Sequence, residues 1–338
     1  MATNDFLVFG GGAGANVITQ VTYSGLAART AGFSSGVAQS NQLNKVWRQS
    51  SIMSAVLAQF ISDISGQDCV DDGTTTTLLA NLKAAVSAQA PSIVGASRNA
   101  RMSVAAASST ATFAADEIAL EDTLGGRTYR LSNFSKVVNL ATTGAGGMDT
   151  GSAPTSGFVA LYAIYNPVTG ASALLARNAT SAAQPEVYGG ANMPAGYTAS
   201  ALISVWPTTS GGQFIIGVQQ ERRVSFGFTT VLSTSVQQAS ATALNIAAAA
   251  PANAKAVKGY CVITSSASTA NLFFTVSGSG AALGLGGMQG SITTSAVSAG
   301  LSSPFNDVPI VTTQTVYYTA TSSAGTMGFS MVLSGYVF

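Results

Sequence analysis

From Val224 to Phe338 the chain carries only three charged side chains, Lys255, Lys258 and Asp307. A segment of that length without charge has few ways to stay in water. It must hide its apolar side chains in closely paired strands and show solvent hydroxyls, amides and backbone. The rest of the chain is only slightly richer. Charged residues make up 8% of the whole against 47% hydrophobic, where ordinary soluble domains carry roughly 25% charge. Such a chain lacks the repulsion that keeps monomers apart, so much of its surface is expected to be covered in an oligomer. Its 14 basic and 13 acidic residues leave a net charge of +1, too little to attract a phosphate backbone, and no nucleic-acid partner is expected.

The chain contains no histidine. That removes His-based triads, His-ligated zinc and haem, and the commonest general base near neutral pH. Cys69 and Cys261 lie far apart and form no CxxC pair, so both read as small buried hydrophobes, and no metal or cofactor is expected. The glycines from Gly10 to Gly14 are not followed by the Lys-Ser/Thr of a phosphate loop and lack the dinucleotide spacing. Asp116, Glu117, Glu121 and Asp122 cluster as a glycosidase pair would, but Gly125-Gly126 beside them marks the two sides of a solvated hairpin. The expected role is therefore not enzymatic. The opening Met1-Ala2-Thr3-Asn4-Asp5-Phe6 has neither basic nor apolar signal-peptide regions, and no apolar run reaches the roughly 18 residues that span a bilayer. Assembly in the cytoplasm follows, and the glycosylation sequons at Asn133 and Asn178 read as chance.

Residues 1–96 read as an irregular arm followed by helix. Leu43, Val46, Trp47, Met53, Val56, Leu57, Phe60, Ile61 and Ile64 recur at the spacing of one helical face. In heptads, Leu43, Leu57 and Ile64 occupy position a and Val46, Met53 and Phe60 position d, with Trp47 and Ile61 widening the stripe at e. This spacing predicts a helix on the order of 33 Å long, ended by Gly66, whose a/d residues line the axis of a helical association. Asp71-Asp72 introduces a second helix through Leu78, Leu82 and Val86, closed by Pro91. Ahead of both, Phe6, Leu7 and Phe9 read as exposed anchors of an attachment arm, beside glycines too flexible to pack alone.

From Arg98 the pattern changes to period two. Phe158 to Tyr165 and Ala171 to Ala176 flank the turn Asn166-Pro167-Val168-Thr169-Gly170, and Ser200 to Trp206 with Gln213 to Val218 suggest a second hairpin. Further strands are expected at 224–230, 257–264, 272–277, 308–313, 316–321 and 329–338, with no helical pattern long enough for a crossover. The economical reading is mainly β with an N-terminal helical segment: two antiparallel sandwich or jelly-roll-like domains, 97–223 and 224–338, divided at Arg222-Arg223. Within the second, Phe273-Phe274 and Tyr317-Tyr318 are neighbours along strands, so one of each pair faces away from the core. Tyr260, Phe273, Tyr317 and Tyr318 are the candidate receptor-contacting residues.

Three stretches carry a family resemblance. Ala2-Thr3-Asn4-Asp5-Phe6-Leu7-Val8-Phe9 through Leu26-Ala27-Ala28-Arg29-Thr30-Ala31-Gly32-Phe33, then Leu43-Asn44-Lys45-Val46-Trp47-Arg48-Gln49-Ser50-Ser51, and finally Leu161-Tyr162-Ala163-Ile164-Tyr165-Asn166-Pro167 with Tyr188-Gly189-Gly190-Ala191-Asn192-Met193-Pro194 resemble tail fibre proteins of tailed bacteriophages and prophages. The resemblance spans residues 1 to 223. It implies a homotrimeric structural protein of the virion, assembled in the host cytoplasm and fixed to a tail or baseplate protein by its N-terminus. Its C-terminal part would bind a host surface polysaccharide or outer-membrane protein. The trimer seam would then be Leu43, Val46, Met53, Leu57, Phe60 and Ile64, and the baseplate anchors Phe6, Leu7 and Phe9. A head decoration protein or a bacterial trimeric adhesin is the alternative.

Overall fold

A computed structural model of the chain describes residues 2–88, 92–293 and 299–338, and it resolves into two compact units, Met1–Pro91 and Ser92–Phe338. The protein is mainly β, with a short helical segment at its N-terminal end and two antiparallel sheets.

In the first unit, α1 (Gln20–Ser24) and α2 (Ala28–Ala31) are single turns, α3 (Ser40–Ser65) is long, and α4 (Thr75–Ala88) lies beside it. The 26 residues of α3 span about 39 Å at 1.5 Å per residue, one turn more than the apolar spacing alone predicts. Gly66 ends it in the left-handed conformation, φ 70°, its N–H donating to the Ser62 carbonyl. The second helix is introduced by Asp72, whose Oδ1 accepts from the Thr74 N–H at 2.8 Å and the Thr74 hydroxyl at 2.6 Å. Those two bonds hold its carboxyl below the ordinary carboxylate range. Pro91, expected to close the helix, lies outside the described residues.

The second unit holds sixteen strands among the described residues: β1 (Ser97–Arg98), β2 (Arg101–Val104), β3 (Thr110–Glu121), β4 (Thr128–Asn139), β5 (Phe158–Tyr165), β6 (Ser172–Asn178), β7 (Ala199–Pro207), β8 (Gly217–Gln220), β9 (Arg223–Thr234), β10 (Gln238–Asn245), β11 (Ala256–Ser265), β12 (Thr269–Ser277), β13 (Gly286–Thr293), β14 (Ala299–Pro309), β15 (Thr315–Ser322) and β16 (Met327–Val337). Twelve form one sheet in the order β14-β11-β16-β9-β8-β2-β3-β7-β5-β6, with β1 and β4 also on β3. The other four form a small sheet, β10-β15-β12-β13.

Two expectations about strand pairing are corrected here. The run 200–206 folds back on 213–218 only at the turn, where Thr208 bridges Phe214 and the Ile215 N–H donates to the Pro207 carbonyl at 3.2 Å; beyond it β7 pairs with β5, Phe158 opposite Pro207, while β8 joins β2 and β9. Nor does the large sheet break at Arg222-Arg223. The β8–β9 turn passes directly through that pair, and Gln220 lies opposite Arg223, so 97–223 and 224–338 share one sheet. Arg222 in fact binds the two parts together. Its guanidinium donates to both Glu186 carboxylate oxygens at 2.8 and 3.0 Å, its Nε donates to the Phe338 carbonyl at 3.0 Å, and it lies 4.8 Å over the Phe338 ring.

The core explains why β5 and β7 read as continuous apolar runs: nearly every residue of both is buried, on both faces. The sheet folds over on itself, so that the Tyr336 hydroxyl of β16 donates to the Val205 carbonyl of β7 at 2.7 Å and its ring meets Phe158 edge-on. Farther along β16, Phe329 packs between Phe274 of β12 and Tyr318 of β15 and so fastens the small sheet to the large one.

Candidate assembly and receptor surfaces

The N-terminal segment packs on its own unit. Asn4 bridges to Cys69, with the Cys69 N–H donating to the Thr3 carbonyl at 2.8 Å and the Asp5 N–H to the Cys69 carbonyl at 3.0 Å. Phe6 thereby joins the small core formed by Ala58, Ile61 and Cys69. Phe9 meets Trp47 edge-on at 5.7 Å, and its N–H donates to the Ser51 hydroxyl at 2.9 Å. The expectation of three exposed anchors is corrected for Phe6 alone, which is partly buried against that core. Leu7 is 80% exposed, and Phe9, though in edge contact with Trp47, is 47% exposed. The glycine run acts as a turn, not a tether: Gly10 and Gly14 adopt φ of 61° and 80°, conformations that send the chain back along α3.

Along α3 the proposed seam divides. Leu43, Val46, Phe60 and Ile64 are half-buried, whereas Met53 is 68% and Leu57 47% exposed. Ile61, assigned to the e flank, is buried in the unit's own core, and Phe60 packs against the same core. The opposite flank is the open one, because Val56, at position g, is 59% exposed beside Met53 and Leu57. The stripe left for a partner is thus 53-56-57, rotated from the symmetric a/d seam. It opens onto an apolar groove of about 210 Å³ between α3 and α4, lined by Phe6, Leu57, Ala58, Ile61, Leu78 and Leu82.

The four receptor candidates fall in three places. Tyr318 is a core residue, 6% exposed and stacked on Phe329 at 5.7 Å with the rings 11° from parallel, and is corrected on that ground. Tyr260 lies on the large sheet. Its neighbours Cys261 and Ile263 are buried, and its own ring points to the far side, stacked on Phe228 at 6.2 Å. Phe228 is 71% exposed and was not singled out by sequence. It follows an irregularity in register where β9 runs past β16 between Leu333 and Gly335, and such bulges re-aim side chains. The signal in the sequence is the Phe226-Gly227-Phe228 triplet, a glycine between aromatics inside a strand.

Phe273 and Tyr317 do share a face. In the small sheet Phe273 lies opposite Thr321, Thr275 opposite Thr319 and Ser277 opposite Tyr317. Directly opposed residues of antiparallel strands point the same way, so these six side chains share the face turned from the core. Phe274 and Tyr318, their strand neighbours, point inward, as the alternation of each aromatic pair requires.

The acidic cluster is distributed along a hairpin. Asp116 lies 3.8 Å from Arg101 and Glu117 3.5 Å from Arg130, both on the surface. Glu121 is buried and accepts from the Gly125 N–H, and Asp122 accepts from the Thr123 and Arg127 N–H groups. Glu117, Glu121 and Asp122 serve the β3–β4 hairpin, and Asp116 ties β3 to β2. Among the described residues, no group of three or more Cys, Asp or Glu is placed to hold a metal ion, and no helix is long and apolar enough to cross a membrane.

No family model and no curated protein matches the chain in sequence. Among solved structures, a tryptic core variant of Cry1Da from Bacillus thuringiensis aligns over 75% of this chain at 10% identity, with a TM-score of 0.19. The chain spans 54% of that protein's length.

Proposed function

We propose that the chain is a structural protein of a bacteriophage tail fibre. In this reading it assembles as a homotrimer through its helical unit, is held to the tail or baseplate through the N-terminal unit, and contacts the host cell surface with its C-terminal residues. The observation that carries the reading is the open stripe of Met53, Val56 and Leu57 on a helix whose other flank is spent, at Ile61, on the unit's own core. A helix of this length gains most of its stability from packing an apolar face, and a second and third copy of the same stripe would complete that packing. The scarcity of charge and the resemblance of residues 1–223 to tail fibre proteins point the same way. Of the expected anchors, Leu7 and Phe9 are the residues exposed to a baseplate partner, Leu7 the more so.

Two measurements test this. Sedimentation of the intact protein should give a trimer, and a monomer at micromolar concentration would rule the assembly out. Antibody labelling of intact particles should place residues 224–338 at the far end of a tail appendage. Labelling on the capsid instead would favour a head decoration protein.

A further inference from the structure

The outward face of the small sheet is built without ions. Its four strands, β10, β12, β13 and β15, contain no Asp, Glu, Lys or Arg at all. The face is also not apolar. Around Phe273 and Tyr317 stand Asn271, Thr275, Thr319 and Thr321, with Gln289 opposite Phe273 and Ser291 opposite Asn271 on β13. Two rings on one flat face, separated by hydroxyls and amides with no ion among them, match a ligand that has apolar ring faces and many hydroxyls but no charge.

The geometry adds direction. Phe273 and Tyr317 lie on neighbouring strands at levels four residues apart, which at 3.4 Å per residue separates them by about 14 Å along the strands. Between them sit Thr275 and Thr319, directly opposed, with their hydroxyls 2.6 Å apart. One hydroxyl donates to the other, which leaves a proton and lone pairs facing outward. Across from Thr275 stands Gly287, and a Cβ there would come within 3.2 Å of the Thr275 methyl and 2.5 Å of the Phe274 carbonyl. The absence of a side chain at Gly287 keeps the middle of the face low. The result is a shallow track along β12 and β15 with an aromatic ring at each end and hydrogen-bonding groups between.

We infer that this face binds an uncharged polysaccharide lying along β12 and β15, stacked on Phe273 and Tyr317 and hydrogen-bonded by Thr275 and Thr319. The inference rests on the proposed receptor-binding role and narrows it to one face and one ligand class. An ionic glycan would lose its hydration here without gaining a counter-charge. A protein loop would be expected to meet at least one charged or deeply concave anchor, and this face has neither. The Phe228–Tyr260 pair lies on the opposite sheet and is not part of the track.

The test uses the intact protein on an array of neutral and acidic polysaccharides, with Phe273→Ala, Tyr317→Ala and Phe228→Ala variants. Retention on one or more neutral polysaccharides is expected, weakened about tenfold by Phe273→Ala and by Tyr317→Ala and unchanged by Phe228→Ala. Thr275→Val, which keeps shape but removes the hydroxyl, should weaken retention by a smaller factor with no change in the melting curve. Retention on acidic polysaccharides only, on none, or undiminished in the two ring variants would overturn the inference. So would dissociation of the assembly by Phe273→Ala, which would make this face a contact between copies. Inhibition of phage adsorption by the soluble protein is read separately. Inhibition without glycan retention would leave receptor binding standing and remove this face. Glycan retention without inhibition would support the face and count against the receptor role.

Discussion

The two units of this chain solve the problem of burying apolar surface in opposite ways. Residues 92–338 enclose Trp206, Tyr162, Phe113 and Phe274 completely, in a core that runs from β3 to β16. Among its described residues the helical unit encloses four small or medium apolar side chains, Ala58, Ile61, Cys69 and Ala85, and leaves Trp47, Met53, Val56, Leu57, Leu79 and Val86 in contact with solvent. Buried apolar area is the main source of stability, at about 25 cal/mol per Å². The β unit is therefore self-sufficient, while the helical unit leaves much of its apolar surface uncovered. In the proposed assembly, stability and association would be assigned to different stretches of the chain.

The largest effect that would break this comparison is in the β core. Trp206 is fully buried and its Nε1 donates to the Ile215 carbonyl at 3.1 Å. Trp206→Ala should lower unfolding stability by about 3–5 kcal/mol, measured in urea. A loss below about 1 kcal/mol would mean that the core is less complete than its burial indicates. Next, Met53→Asp together with Leu57→Asp should convert the sedimenting species to monomer while the unfolding of residues 92–338 stays where it was. If both variants remain trimeric, the exposed stripe is not the contact.

A third measurement sharpens the contrast through the two thiols. Burial pushes Cys261, in the β unit, up to about 12 from the ordinary 9.0, while Cys69 is also raised, by burial and by the neighbouring Asp68 carboxylate. An unfolded chain releases the Cys261 proton above pH 9 while the folded one holds it, so this contribution is complete below pH 9 and is lost as pH rises towards 12. Tyr188, raised to about 12 by burial and by its hydrogen bond to Asp149, falls in the same direction from pH 10 upward. The β unit should accordingly lose stability steadily between pH 9 and 12, and Cys261→Ala should flatten the lower part of that fall. An identical slope in the variant would assign the alkaline loss to other groups. The smallest effect is expected at Arg222. Replacement by Lys removes the two-pronged contact with Glu186 and the stacking on Phe338, and at this half-open site should lower stability by about 1 kcal/mol or less.

What could be read from sequence followed from local periodicity. The span of α3, its stop at Gly66 and the alternation that turns one ring of Phe273-Phe274 and one of Tyr317-Tyr318 outward all depend on spacings of one to four residues, although Tyr318, expected among the outward rings, faces inward. The turn at Asn166–Gly170 was legible for the same reason: the Asn166 carboxamide oxygen accepts from the Val168 and Thr169 N–H groups, and Gly170 supplies a φ of 73°. The short strands β1 and β2 were not singled out, β3 and β4 were read only as the sides of a hairpin, and three later strands were missed in whole or large part. β10 is written almost wholly in Ala, Ser, Thr and Gln, and β13 alternates Met288, Gly290 and Ile292 with polar residues, so a glycine occupies an inward position. Most of β14 lacked a clear pattern because Pro304 and Asp307 interrupt it. Packing partners were beyond reach. Nothing near Arg222 in sequence announces Glu186 or Phe338, and nothing near Phe6 announces Cys69. The free arm and the break at 223 were misread for this reason.

The position of β16 bears on how the chain reaches its fold. In the sheet it lies between β11 and β9, pairing Phe329 with both Ile263 and Thr234. During synthesis β9 and β11 therefore emerge with unsatisfied edges and wait for a strand that the ribosome makes later than either. No local hairpin can close this part of the sheet, and its contacts are of the long-range kind that fold slowly. Meanwhile two strand edges with one charge apiece, Arg223 and Lys258, stand open beside identical edges on neighbouring nascent chains, where they can pair wrongly. Slow growth at low temperature should raise the soluble yield of this protein more than a stabilising substitution in the finished core.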